Sequence, residues 1–336
     1  MLAWPLFCQE ADTLGRNAEV VVITRLECNP SFTTGEKPGY DLGLSSFYTN
    51  FDIPLSPHVD FFMSNHWVAS GIPSSRFGEA TADLYRHSFR SDESDWLDFF
   101  YFDFHFDNWS FRIGKETMYM GGFEFDPYDY ECHLPLLSTF WNDMSAYQWG
   151  GSVTYTTPSE MTSFSLKAST SPYGEYPFAS GLFAAGAQVT GDYGPFSGIW
   201  SVTGMDRGDG GWQWVVSLGQ QLALGEDWTL GLHYQNAVGG CTKAEQDTCC
   251  EYGHTAYATV NYAPFDWLDI DAKCVYEYSQ WYESVLAGAA LNFYPLTDSQ
   301  DLRLHLAGAY DTFFKTVTVS VGALWQFHIP FLKNRR

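Results

Sequence analysis

Seventeen basic residues against forty acidic ones give the 336-residue chain a net charge of −23, which excludes a nucleic-acid surface built on clustered bases. Charged residues make up only 17% of it and aromatics 18%, where an ordinary soluble domain is about a quarter charged. No run of about eighteen apolar residues exists, so a transmembrane helix is excluded too, and what remains favoured is a barrel whose strands show lipid on one side and water on the other.

The chain starts Met1-Leu-Ala-Trp-Pro-Leu-Phe-Cys8. This reads either as the tail of an export segment lacking its basic beginning or as a short buried terminus. Residues 1–10 are therefore set apart as an export remnant, truncated upstream, and 11–336 are taken as one barrel domain. Phe7 before Cys8 is too bulky for a lipid-anchor signal. The first strand is placed from about Glu19, although Val20–Leu26 alternates poorly.

From about residue 43 onward the dominant pattern is period two, the repeat of a strand with one apolar and one polar face. Tight connectors are expected at 54–57, Asp107-Asn108, 191–195, 224–227 and Pro264-Phe265, and longer ones near 70–94, 120–145, 172–180, 239–252 and 278–282. Gly208-Asp-Gly-Gly211 reads as a hairpin loop rather than a phosphate cradle. Trp228, Leu230, Leu232 and Tyr234 alternate with Thr229, Gly231, His233 and Gln235; Ala256, Ala258, Val260 and Tyr262 alternate with polar residues in the same way. Leu268, Ile270, Ala272, Cys274 and Tyr276 stand against Asp269, Asp271, Lys273 and Glu277. In the last strand Val317, Val319, Val321, Ala323, Trp325 and Phe327 oppose Thr316, Thr318, Ser320, Gly322, Gln326 and His328.

Segments of about ten to twelve residues are what a tilted strand needs to cross a bilayer, about double the globular mean. Short turns at one end and long loops at the other complete the pattern. The expectation is an all-β, antiparallel transmembrane β-barrel of about sixteen strands, within a range of about fourteen to eighteen, with both termini on the short-turn side. A secreted β-sandwich or propeller competes. Against it stand the strand length, the alternating loop size and the aromatics near strand ends (Trp96, Trp109, Trp228, Trp267, Phe293, Trp325), which suit interfacial girdles.

The seven cysteines form no metal pattern. Cys241 with Cys249 or Cys250, in one polar segment, is a candidate surface disulfide in an oxidising compartment. No G-x-S-x-G, H-E-x-x-H, P-loop or dinucleotide fingerprint appears, and no enzyme and no cofactor are expected.

The stretch from Phe111, Phe-Arg-Ile-Gly-Lys-Glu-Thr-Met-Tyr-Met-Gly-Gly-Phe-Glu-Phe, and the Gly-rich Tyr147-Gln-Trp-Gly-Gly-Ser-Val-Thr-Tyr155 after it resemble the phosphate-selective porin O/P family of Gram-negative bacteria. The resemblance implies an outer-membrane location, a sixteen-stranded barrel, often a homotrimer, and a loop after the fifth strand folded into the pore. That loop corresponds to 120–145. One departure is plain: the family lines its pore with bases, and here no Lys or Arg lies between Lys115 and Lys167. The segment instead carries Glu124, Asp126, Asp129, Glu131 and Asp143 as constriction-loop candidates, so phosphate selectivity is doubtful.

Strand parity puts Arg112, Lys167, Lys273 and Arg303 on the lumen face with Glu116, Asp269 and Asp271, as pore-lining candidates. His66, His105, His233 and His305 share that face as expected hydrogen-bonders rather than a metal cluster. The functional expectation is a porin passing small hydrophilic solutes or ions by passive diffusion, with outer-membrane lipid as its surroundings. Two rivals are kept: a non-conducting barrel subunit of an outer-membrane assembly, and a secreted carbohydrate-active β-protein.

Overall fold

The structure, a computed structural model, describes residues 18–41, 45–69, 96–120, 122–125, 146–174, 178–208, 210–239, 253–278, 283–296 and 299–332. Strand β1 (Ala18–Thr33) is followed by the three-residue β2 (Gly39–Asp41), then β3 (Ser46–Ser56), β4 (Val59–Ala69), β5 (Leu97–Phe106) and β6 (Trp109–Thr117). Next come β7 (Tyr147–Thr156), β8 (Thr162–Thr170), β9 (Phe183–Asp192), β10 (Phe196–Asp206), β11 (Trp212–Leu224) and β12 (Trp228–Gly239). The chain closes with β13 (Gly253–Phe265), β14 (Leu268–Tyr278), β15 (Glu283–Phe293), β16 (Leu302–Asp311) and β17 (Thr316–Leu332).

From β3 to β17 each strand pairs antiparallel with the next, and β1 pairs with both β17 and β3. The sheet therefore closes on itself, which leaves no edge along the wall. Of the seventeen strands, β2 only extends the ladder at Asn29–Ser31 of β1, so sixteen form the barrel wall. β1 starts and β17 ends on the side of the short turns: Ala18 lies opposite Leu332.

The burial pattern is that of a globular protein turned inside out. In β8, Ser163, Ser165, Lys167 and Ser169 are buried, while Phe164 and Leu166 between them are 50% and 60% exposed. The outward face is predominantly apolar, where lipid can satisfy it, and the interior is mostly polar, with buried apolar residues among its side chains such as Met205, Val215, Val275 and Leu286. Rings gather at both margins of this apolar band. Trp228 stacks on Tyr262 at 4.1 Å and Trp109 lies 4.9 Å from Tyr155 at the short-turn end; Phe183–Trp212 at 5.3 Å and His254–Tyr278 at 6.5 Å mark the other. The 11 residues of β14 rise by roughly 28 Å at about 3.3 Å each and a tilt of about 40°, close to the height of such a band.

Two turns lie slightly later than the prolines suggest. Pro54 belongs to β3, whose turn is Pro57-His58, and Pro264 belongs to β13, whose turn is Asp266-Trp267. In each case the ladder register shifts beside the proline, between Pro54 and Ser56 and between Tyr262 and Phe265, so its missing N–H breaks no regular pairing. At the Asp107-Asn108 hairpin Asp107 takes φ 47°, in the left-handed region favoured by tight two-residue hairpin loops.

Candidate functional site: the charged lumen

Register aligns Asp60 of β4, Asp103 of β5, Arg112 of β6, Ser152 of β7 and Lys167 of β8 in one row across the inner wall. Arg112 donates from Nε and Nη2 to Asp103 Oδ2 at 3.1 and 2.5 Å, and from Nη1 to Glu116 Oε2 at 3.1 Å. Glu116 Oε1 in turn accepts from Ser152 Oγ at 2.9 Å and lies 2.9 Å from Lys167 Nζ. Two bases thus meet two acids, and Asp60 adds a third carboxylate to the row. The Arg112 guanidinium also lies 4.0 Å from the centre of the Tyr101 ring. Gly114 neighbours Tyr101 in the ladder, and its backbone approaches that of Phe100 closely. At φ +144°, a Cβ there would stand 2.0 Å from the Phe100 carbonyl oxygen.

Beyond β6 the chain turns into the barrel. Lys167 Nζ donates to the Thr117 carbonyl at 2.6 Å and Thr203 Oγ1 of β10 donates to that of Tyr119 at 2.5 Å. Gly122, Phe123, Glu124 and Phe125 form a single 3-10 turn that packs on β10 and β11. Gly122 and Gly219 of β11 meet backbone to backbone, and a Cβ on Gly219 would stand 3.3 Å from the Gly122 Cα. The Phe123 ring lies edge-on to His233 of β12 at 5.4 Å, and Glu124 Oε1 stands 3.5 Å from Lys273 Nζ of β14, with both side chains almost fully buried. In a ring of sixteen, β14 is eight places from β6 in either direction, so Glu124 is anchored to the opposite wall. Lys273 also sits 4.5 Å over the Tyr257 ring.

The remaining candidates fall elsewhere on the wall. Asp271 accepts from Asn261 at 2.8 Å and from Asn292 at 2.6 Å, and Asp269 lies half-buried one step along the same face. Arg303 of β16 shares a row with Leu324 and Arg25. There Arg25 bonds Glu27 at 2.6 Å, and His305 stands 3.7 Å from Glu27 and 3.1 Å from Ser320. The seven wall candidates are therefore spread over three clusters: Arg112, Glu116 and Lys167; Lys273, Asp269 and Asp271; and Arg303. Asp126, Asp129, Glu131 and Asp143 lie outside the described residues, as do Cys241, Cys249, Cys250 and residues 1–10.

Of the histidines, the side chain of His66 is outside the described set, while His105 approaches Asp60 at 3.3 Å. His233 departs from the expectation of a hydrogen-bonder. It stacks on Tyr257 at 4.2 Å, and among the described residues neither ring nitrogen has a hydrogen-bond partner. Glycines 219 and 231 bring bare backbone against its edges, which leaves packing as its role. Sequence reading missed Asp103, Ser152, Tyr101, Arg25 and Glu27. Asp103 was within reach, since Tyr101, Asp103 and His105 alternate with phenylalanines. Among the described residues no group of three or more His, Cys, Asp or Glu is arranged to hold a metal.

No family model matches the sequence, and no curated protein matches it. Solved structures do match the fold. OmpT of Vibrio cholerae, an outer membrane protein solved in a trimer form, superposes with a TM-score of 0.58 at 10% identity over 93% of this chain and all of that one. The outer membrane channel DcaP of Acinetobacter baumannii gives 0.56 at 11% identity, over 94% of this chain and 98% of that one. A mutant of the Rh. blastica porin gives 0.55 at 14% identity over 92% of this chain and all of that one. The chain is a closed, sixteen-stranded antiparallel barrel with an apolar outer wall and the fold of outer-membrane porins and channels.

Proposed function

We propose that the protein is a porin: a water-filled barrel through which small hydrophilic solutes or ions diffuse passively, with no chemistry at the wall. The observation that carries this reading is the placement of residues 117–120 and 122–124, which lie in the lumen and end on Lys273 of the opposite wall. The acids that follow this turn in the sequence, Asp126, Asp129, Glu131 and Asp143, set the charge preference in this reading. Lys273 offsets Glu124, and Arg112 and Lys167 are already spent on Asp103 and Glu116, so neither wall base is available to neutralise further loop acids. The surplus is negative and cations are favoured, modestly, because salt screens such a field over about 8–10 Å. The Arg112-Gly114-Lys115 and Gly122-Phe123-Glu124 motif supports kinship with phosphate-selective porins, yet the pairing of Arg112 and Lys167 with Asp103 and Glu116 argues against phosphate selectivity. By analogy with the trimer form of OmpT, the assembly is a homotrimer.

The test is the reversal potential across a planar bilayer under a KCl gradient. Wild type is expected to favour K⁺, and a variant with Glu124, Asp126, Asp129 and Glu131 changed to amides is expected to shift towards Cl⁻, most at low salt. A variant that folds with an unchanged potential removes the loop from the pore. The second reading, a filled barrel serving an outer-membrane assembly, is favoured by the near-complete burial of lumen-facing Gln213, Glu277 and Asn292. The same bilayer separates the two, since a filled barrel passes no current.

A further inference from the structure

Charge is distributed unevenly around the inner wall. Arg112 and Glu116 stand on β6, Lys167 on β8, and Asp271 and Lys273 on β14. Between these groups, the lumen-facing positions of β10, β11, β12 and β13 hold no Asp, Glu, Lys or Arg among the described residues. Neutral hydrogen-bonding side chains take their place. Register sets Ser197 of β10 beside Gln221 of β11, Gln221 beside Gly231 of β12, and Gly231 beside Thr259 of β13. Further along β10, on the same face, Ser201 lies beside Gln188 of β9. Between the two rows runs that of Ile199 and Gly219, and Gly219 is where the inward turn touches the wall. A solute passing that turn therefore meets the neutral arc before it and after it.

The fold leaves these groups unused. Among the described residues Gln188, Ser197, Gln221 and Thr259 make no side-chain hydrogen bond, and each keeps a partly open surface on the lumen face. Ser201 Oγ and Gln235 Nε2, buried on the same arc, have no hydrogen-bond partner either. The Thr259 hydroxyl leans over Gly231, where any side chain would collide with it. Arg112 and Lys167 are held by Asp103 and Glu116, whereas this arc keeps its hydrogen-bonding capacity open. A carboxamide or a hydroxyl both donates and accepts, so a wall built of them suits a solute that does both. An anion brings acceptors only and an ammonium donors only, and neither finds a counter-charge on the arc. Within the pore reading above, on which this inference rests, we propose that the arc from Gln188 to Thr259 is a contact path for uncharged polyhydroxylated solutes, sugars and polyols. Their hydroxyls replace water on Gln188, Gln221 and Thr259 at little net cost, because a hydrogen bond to the wall takes the place of one to water. Such contacts are weak and exchange quickly, as passage requires.

The experiment uses the full-length barrel in a planar bilayer carrying KCl current, with glucose added to one side. Triethylene glycol, uncharged and similar in size but with ether oxygens in place of most hydroxyls, controls for excluded volume. Glucose is expected to interrupt the current in a way that saturates with concentration, beyond the fall caused by triethylene glycol at the same concentration. Gln188→Met with Gln221→Met keeps the length of both side chains and removes their donors and acceptors. Half-block should then need about tenfold more glucose, the loss of two ordinary hydrogen bonds. Thr259→Val should need about threefold more, and Thr259→Ser should behave as wild type. Block is read against each variant's own open current, so every variant compared is a folded, conducting barrel. Glucose that acts no more strongly than triethylene glycol, or a double Met variant that responds to it as wild type does, overturns the inference. A barrel that passes no KCl current defeats the pore reading first, whereas one that conducts but ignores glucose defeats only this proposal.

Discussion

Glu124→Gln is the substitution that bears most on the inward segment. Glu124 and Lys273 are 3.5 Å apart with side chains 1% and 2% exposed, so water screens them little. At an effective dielectric of about 20, the attraction at that distance is roughly 5 kcal/mol, and removing one partner of a buried pair costs about 3–5 kcal/mol in general. The contact of Lys273 with the Tyr257 ring at 4.5 Å is present in both proteins and cancels, so the expected loss stays at about 3–5 kcal/mol. Urea unfolding of the detergent-folded barrel reads that loss as a lower midpoint. Single-channel recording reads it as a noisier current, because the turn at 122–125 loses its anchor on β14. In the double variant Glu124→Gln with Lys273→Met the buried charge is gone from both sides, and the midpoint should return close to wild type. A Gln variant with wild-type midpoint and current, or a double variant whose losses simply add, would refute the anchoring argument.

Three further outcomes follow from the wall. Val321 is 51% exposed on the outer face, so Val321→Arg should cost about 2–4 kcal/mol in unfolding from lipid, and Val321→Leu almost nothing. Gly114→Ala places a Cβ 2.0 Å from the Phe100 carbonyl at φ +144°, so the barrel should unfold at a clearly lower urea concentration; an unchanged midpoint would mean the close approach is absent. In a variant retaining only Cys274, exposed on the outer face beside lumen-facing Lys273, a bilayer-soluble maleimide should react faster than a charged one, and the reverse order would turn the strand over.

The features legible in the sequence were those set by face. Thr316–His328 and Leu268–Tyr278 alternate with one exception each, Leu324 and Val275 on the lumen face, because one side meets lipid and the other a mostly polar interior, so parity indicates strand type and facing. β1 alternates poorly for a physical reason: Val21 and Ile23 take the lumen face beside Arg25 and Glu27, next to the seam with β17, so both faces carry apolar residues. The lumen of β10, β11, β14 and β15 is partly apolar as well, at Met205, Val215, Val275 and Leu286, which blurs the pattern there. Parity names a face and never a partner. That Arg112 meets Asp103, nine residues back, follows from the two-residue hairpin between them; that Glu124 meets Lys273 depends on closure of the whole ring.

The central claim is a water-filled path through the barrel, and single-channel conductance in planar bilayers tests it most directly. The account predicts stable, ohmic current steps in KCl that persist without voltage activation and carry K⁺ in preference to Cl⁻. Insertion of folded barrels, verified by heat-modifiable migration, with no current step at any voltage would contradict it and leave a closed barrel.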